Sequence, residues 1–345
     1  MKNNKELEGC VFYFFNEFEN SIKKQKKYKI VTLDFFTKNE LTNQKIIRKI
    51  DEHKIRFHLY ENNKELRITE LDENSTNIRS NAIRKDNTIL LEYEVQELIY
   101  LKTYLKNSEH PSKYILTLIN FYKHLLNSLH LLVDNHIFHN HINFDSIVIN
   151  KSEYPLLTNF SFSIDVSSKH ISQNIKRFII AYDPEYLEWP IELHILSYLL
   201  TNKLESLSSY NIETIVNDVV NNNTILKMFG DSLVSLYKDE SLKYFKKYVN
   251  KSYDYILTDI LQFSNTWDNY ALSILFLRIL IDVYKSIKTK NKFIILFMKL
   301  LVGNIHLNPL KRLLIDSTLE QFDTMLDGLE PKDYKDIINC LCTSS

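Results

Sequence analysis

Three histidines, His136, His139 and His141, fall within six residues of one another in "HIFHNHINFDSIVIN", with Asp145 four positions after the last. Imidazoles spaced this closely could hold a zinc ion, and any one of them could act as a general base near neutrality. No nearby Cys, Asp or Glu completes a familiar zinc spacing, so no metal is expected there. The letters HNH do not mark a nuclease, whose namesake residues are dispersed. What is left is an imidazole at His141 and a carboxylate at Asp145, on a short polar stretch that runs into the apolar "IVI".

These residues lie between a β-rich beginning and a helical remainder. In the first ninety residues the runs "VFYFF", "YKIVTLDFF", "IRFHLY", "ELRITEL" and "TILLEYE" are rich in aromatic and β-branched residues and predict strands. Between them, Leu41, Ile46, Ile47 and Ile50 of "LTNQKIIRKIDEH" are spaced for one helix. After Glu92 the pattern turns helical. In "YILTLINFYKHLLNSLHLLVDNH" the residues Leu116, Ile119, Tyr122, Leu126, Leu129 and Leu132 keep one apolar stripe. From about Asn202 to Thr266 the chain is rich in Asn, Ser and Lys, yet its apolar residues keep helical spacing. That predicts a helical insertion and not a linker. No internal repeat is visible.

At 345 residues the chain is longer than one usual compact domain, so two domains or one two-lobed unit is expected. Lys and Arg total 43 and Asp and Glu total 43, so no net field draws it to nucleic acid or to an anionic membrane. The lysine run "IKKQKKYK", Ile22 to Lys29, lacks an aromatic platform and reads as a solvated turn. Cys10, Cys340 and Cys342 are few and odd in number, which predicts a reducing, intracellular setting and an idle sequon at Asn74-Ser75-Thr76. The start lacks the pattern of a secretory signal, and "FIILFMKLLVG" and "ALSILFLRILIDVY" are too short and too charged to predict a membrane span. Abundant Asn, Lys and Ile with only four Gly fit an A+T-rich genome.

The order of segments, a small β region, "ILLEYE", a long helix, "HNHINFDSIVIN" and "PLLTNFSFS", resembles that of protein kinases from about Ile30 onward. The kinase catalytic loop reads H-R-D-x-K-x-x-N before an apolar strand. Here His139 matches its His, with Asn140 at the Arg, His141 at the Asp, Asn143 at the Lys and Ser146 at the Asn. Thirteen positions after Ser146, Asn159-Phe160-Ser161 stands where kinases carry Asp-Phe-Gly. "YDPEYLEWP" resembles the Ala-Pro-Glu end of an activation segment, with Pro184 and Glu185 matching. "TWDNYALSILFLRIL" resembles the buried helix that opens with an Asp, here Asp268, and "NPLKRLLIDSTL" the late motif whose Arg is Arg312. Glu185 with Arg312 would form the ion pair that ties the activation segment down. The phosphate-gripping lysine of V-A-I-K aligns with Asp34. The likeness is greatest to the divergent protein kinases of nucleocytoplasmic large DNA viruses.

The resemblance implies an α+β, bilobal protein kinase-like fold, with a small β lobe over residues 1–92 and a larger, mainly helical lobe over 93–345 carrying an insertion at about 200–265. It also implies lost chemistry. Phosphoryl transfer needs clamped phosphates, held metals and an aimed hydroxyl. Asn159 and Ser146 are neutral where Mg²⁺ needs hard oxygen ligands, and Asp34 at about 4 Å would repel a phosphate by on the order of 4 kcal/mol. The region that should cover the phosphates, "NEFENSIKK", has no glycine, the nearest being Gly9. His139 and Phe160 match two members of the apolar column of kinases, and Asp268 the brace beneath the catalytic loop. The retained parts package a core while the lost ones face ligand. The expectation is therefore a catalytically inactive pseudokinase without ATP or Mg²⁺. It would bind a protein partner, an active kinase or a virion protein, in a host cytoplasm or a virion, with no nucleic acid or membrane. One alternative is an active, atypical kinase using Asp145 or a carboxylate of the insertion. Another is a structural component of a particle.

Overall fold

A computed structural model describes residues 11–15, 26–66, 88–94, 97–107, 111–167, 171–179, 181–286 and 292–333. Gly9, the stretch Asn16–Lys24, the sequon at Asn74 and the three cysteines lie outside these residues. The protein is mixed α+β, mainly helical with small antiparallel sheets. It divides into two compact units, one formed by Met1–Ile99 with Val148–Phe162, the other by Tyr100–Ile147 with Ser163–Ser345.

The first unit holds a four-stranded sheet in the order β1-β2-β4-β3, from β1 (Val11–Phe15), β2 (Lys26–Thr32), β3 (Asn62–Leu66) and β4 (Thr88–Glu94). Every neighbouring pair is antiparallel, with Lys29 opposite Leu91 and Asn62 opposite Glu92. The period of two is plain on β4, where Ile89, Leu91 and Tyr93 are buried and form a small core with Tyr60, flanked by Val31, Leu33 and Leu41. The boundary expected at residue 92 falls inside β4, and the unit continues to Ile99.

Helix α1 (Phe35–Ile50) starts earlier than its apolar spacing suggests, because the side chain of Asp34 caps it and accepts a hydrogen bond from the Thr37 N–H at 2.8 Å. The strand expected through "YKIVTLDFF" therefore stops at Thr32. The buried face of α1 is polar, made of Thr37, Glu40, Asn43 and Gln44 with Ile47. "IRFHLY" is irregular instead of a strand. The buried carboxylate of Asp51 takes the N–H groups of Ile55, Arg56 and Phe57 at 3.3, 3.0 and 3.1 Å, and Gln44 takes that of Tyr60, so those donors are not free to pair a ladder. One parallel bridge, Phe57 to Leu157, ties this stretch to the returning segment Val148–Phe162.

In the second unit, α2 (Leu101–Asn107) leads to α3 (Pro111–Asp134). Ile119, Tyr122, Leu126, Leu129 and Leu132 of the predicted stripe are buried, whereas Leu116 is 37% exposed and its place is taken by Ile115 and Leu118. The Tyr122 ring meets Phe276, Phe297 and Phe322 at 5.0, 4.8 and 5.0 Å. Those rings come from α10 (Trp267–Ser286), α11 (Lys292–Asn304) and α12 (Ile315–Asp327). Helix α10 is buried on all sides over its first three turns, which makes it the centre of the unit. Of α4 (Ile171–Phe178), α5 (Ile191–Thr201) and the four helices of the Asn- and Lys-rich stretch, α6 (Ser209–Asn222), α7 (Thr224–Lys227), α8 (Asp231–Phe245) and α9 (Tyr253–Leu261), α7 packs against α10, α5 against α6 and α9, and α8 against α6 and α7. Among the described residues no helix is long and apolar enough to cross a membrane.

Candidate functional site

The histidine-rich loop lies in the second unit and is held from below. Two short strands, Ile137–Phe138 and Ile164–Asp165, pair antiparallel and deliver the chain to His139. Asp268, in the first turn of α10, then takes the backbone N–H of His139 at 2.6 Å and of Asn140 at 2.8 Å on its two carboxylate oxygens. The carboxyl is 1% exposed, and burial raises its pKa to about 6 against the opposing pull of those two N–H groups. Asn140 has φ of +57°, a left-handed conformation that asparagine tolerates well and that turns the chain over the carboxylate. His139 is fully buried.

The next residues close on one another. Asn143 Oδ1 accepts from the N–H of Asp145 at 2.9 Å and of Ser146 at 3.1 Å. The buried Ser146 hydroxyl donates to the Asn143 carbonyl at 3.0 Å and accepts the Asn143 N–H at 2.9 Å. With its oxygen so engaged, the Asn143 carboxamide turns its Nδ2 to His141 Nε2 at 3.1 Å, and Tyr186 Oη meets His141 Nδ1 at 3.1 Å. Nδ2 is a donor, so Nε2 must accept and the ring proton sits on Nδ1. Burial lowers the His141 pKa, with the Asp145 charge pulling the other way. The ring is thus neutral, with its basic nitrogen already hydrogen-bonded. Asp145 itself is exposed.

Arg312, expected to pair with Glu185, pairs instead with Glu192. Its guanidinium meets the Glu192 carboxylate in a fork, at 2.7 and 2.6 Å, and adds bonds to Thr266 Oγ1 at 3.0 Å and the His306 carbonyl at 2.8 Å. Trp267 Nε1 donates to the same carboxylate at 3.2 Å. The reason lies in the local structure. Glu192 opens the first turn of α5 with its side chain wholly buried, whereas Glu185 lies exposed in a turn where its N–H bonds Asp183 Oδ1. A buried guanidinium needs a buried partner.

The other expected positions belong to the first unit. Asn159 has φ of +65° and its Oδ1 accepts the Ser161 hydroxyl at 2.7 Å. Phe160 is fully buried, edge-on to Phe57 at 5.7 Å, and starts a 3-10 turn over Phe160–Phe162. Asn39 of α1 donates to the Ser161 carbonyl at 3.0 Å, and Phe36 packs on Phe162 at 4.9 Å. Asp34 is a helix cap and not a strand residue facing a ligand, so its alignment with a phosphate-gripping lysine does not hold.

A residue that the sequence pattern passed over lies here. Glu40, 5% exposed, accepts from Gln44 Nε2 at 3.0 Å and from the Phe160 N–H, and it feels the charge of Lys29 on β2. Burial nonetheless raises its pKa. An apolar-period scan ignores such a glutamate. Its signal is the spacing from the Asp34 cap, which puts Thr37, Glu40, Gln44 and Ile47 on one face.

Among the described residues no cluster of three His, Cys, Asp or Glu side chains could hold a metal ion. The arrangement as it stands can orient a loop rigidly and offer Asp145 and its surroundings to another molecule. No protein-family model matches this chain, and no curated protein matches it.

Proposed function

We propose that this chain is a protein kinase-like protein that does not transfer phosphate and acts through protein contacts, as a regulatory or structural partner. The observation that carries this reading is the closure of the loop. His141, Asn143 and Ser146 stand at the positions of the kinase base, lysine and metal-binding asparagine, and each spends its polar atoms on its neighbours. Asn159, at the metal-binding aspartate, is neutral and bonded to Ser161. Mg²⁺ is bound by hard, preferably anionic oxygens, and neither a serine hydroxyl nor a carboxamide supplies that charge. The supports of a kinase loop have counterparts, in Asp268 beneath it and in the Glu192–Arg312 pair behind it. Loss of chemistry with retention of scaffold is what a contact protein of this fold requires. The likeness to kinases of large DNA viruses makes a viral or host-cell protein the partner class.

The test is transfer of radiolabelled phosphate from ATP, in Mg²⁺ and in Mn²⁺, to the protein itself and to a general kinase substrate. No transfer above a no-protein control is expected, and robust autophosphorylation overturns the proposal. A second reading is favoured by Asp145, an exposed carboxylate at the loop whose charge acts on His141. On that reading Asp145→Ala abolishes a measurable activity. Absence of any activity to abolish removes it.

A further inference from the structure

We propose that Tyr186 is an internal occupant of the acceptor position, its hydroxyl lying beside His141 where the hydroxyl of an outside protein substrate would have to come. This rests on the kinase-like reading of the loop. The contact is direct, with Tyr186 Oη 3.1 Å from His141 Nδ1, and the two rings are nearly parallel, 13° apart with centroids 6.5 Å apart. Because Asn143 fixes Nε2 as the acceptor, the Nδ1 proton points at the Tyr186 oxygen.

The tyrosine is clamped in place. Its N–H donates to the Asp183 carbonyl at 3.2 Å, its carbonyl accepts the Trp189 N–H at 3.3 Å, and its ring stands edge-on to buried Trp189 at 5.4 Å. Two ion pairs fasten the chain just beyond it, Glu188 to Arg278 at 2.6 Å and Glu192 to Arg312. The charged groups acting on this pair of rings are Asp145 on His141, and Glu188 and Arg278 on Tyr186. Burial first, and Glu188 next, push the Tyr186 pKa up, so the hydroxyl stays protonated and fills the place as a neutral group. The turn that carries the ring is thus held at both ends. An outside serine, threonine or tyrosine hydroxyl is thereby excluded from His141 even if a nucleotide were to bind.

The experiment is ring-nitrogen NMR on the full chain with ¹⁵N-labelled histidine, the His141 signals being assigned by their loss in His141→Gln. The wild type is expected to show a neutral ring carrying its proton on Nδ1, the tautomer that free histidine disfavours, with that proton protected from solvent exchange. In Tyr186→Phe, which keeps the ring and loses only the hydroxyl, the protection should be lost. In Tyr186→Ala, p-cresol should perturb the His141 signals, whereas in the wild type it should not. An Nε2–H tautomer in the wild type, or unchanged protection in Tyr186→Phe, overturns the proposal. Mass spectrometry after incubation with MgATP separates the two ideas: phosphate on Tyr186 would end the inactive reading while upholding the contact.

Discussion

Glu192→Gln should destabilise the second unit far more than Glu185→Gln. Both side chains of the Arg312–Glu192 pair are 0% exposed, and glutamine would face the buried guanidinium with one neutral amide oxygen where the carboxylate supplies charge and two acceptors. Removing one member of a buried pair leaves an uncompensated charge and costs about 3–5 kcal/mol. The Trp267 indole weakens its bond as well. Glu185 is exposed, and its replacement should cost less than about 0.5 kcal/mol. The assay is urea unfolding followed by tryptophan fluorescence, because the only two tryptophans, Trp189 and Trp267, are both buried in the second unit and report on it selectively. With a slope near ~3 kcal/mol per molar urea, the Glu192→Gln midpoint should fall by about 1 M or more. Replacing both partners with leucines should recover much of the loss, as expected when the penalty is an orphaned charge. Equal effects at positions 185 and 192, or a loss below about 1 kcal/mol at 192, would refute the assignment.

Asp268 carries a pH signature. Its carboxyl titrates near 6 in the folded chain against an ordinary value of 3.8. The folded state therefore holds the proton more tightly, and the contribution of this group to stability, present below about pH 4, is lost as pH rises towards 6, by up to about 3 kcal/mol. Fluorescence-monitored unfolding of wild type and Asp268→Asn across pH 4 to 6.5 should show the wild type losing ground to the variant as pH rises; a constant difference contradicts this. Asp34→Ala should cost about 1 kcal/mol as the loss of a helix cap, and Asp34→Lys should create no ATP binding by calorimetry. An Asp34→Lys variant that gains nucleotide affinity would reinstate the strand alignment. Tyr122→Ala removes a ring that contacts three phenylalanines from three helices, and should cost about 3–5 kcal/mol in the tryptophan assay. A loss under about 1 kcal/mol would show that this core is not centred there.

The parts of the site legible in the sequence are those set by short fixed spacings. His139, Asn143 and Ser146 lie within one loop, and Asp268, which the kinase resemblance put beneath that loop, takes the N–H groups of His139 and Asn140. Other long-range partners were not legible. "DPE" matches a motif by letter, but the carboxylate that reaches Arg312 is the one on the buried first turn of α5, and helix phase, not letter, decides that. An Asp after a strand-like run can continue the strand or cap a helix, and the Thr37 N–H settled it for the cap. Glu40 escaped because apolar periodicity does not register a buried polar stripe. "IRFHLY" has strand composition, yet Asp51 competes for its donors from outside the run. Leu116 fits the stripe by spacing but is exposed, while Ile115 and Leu118 face inward.

The central claim of the proposed function is that Ser146, bonded to Asn143, and Asn159, bonded to Ser161, are neutral and supply no anionic ligand for MgATP. Titration of the full chain with ATP, with and without Mg²⁺, followed by thermal unfolding, tests it most directly. A ligand at a hundred times its Kd adds about 2.7 kcal/mol to stability. The expected result is no Mg²⁺-dependent rise in Tm up to millimolar nucleotide; a saturable rise that requires Mg²⁺ would contradict the account.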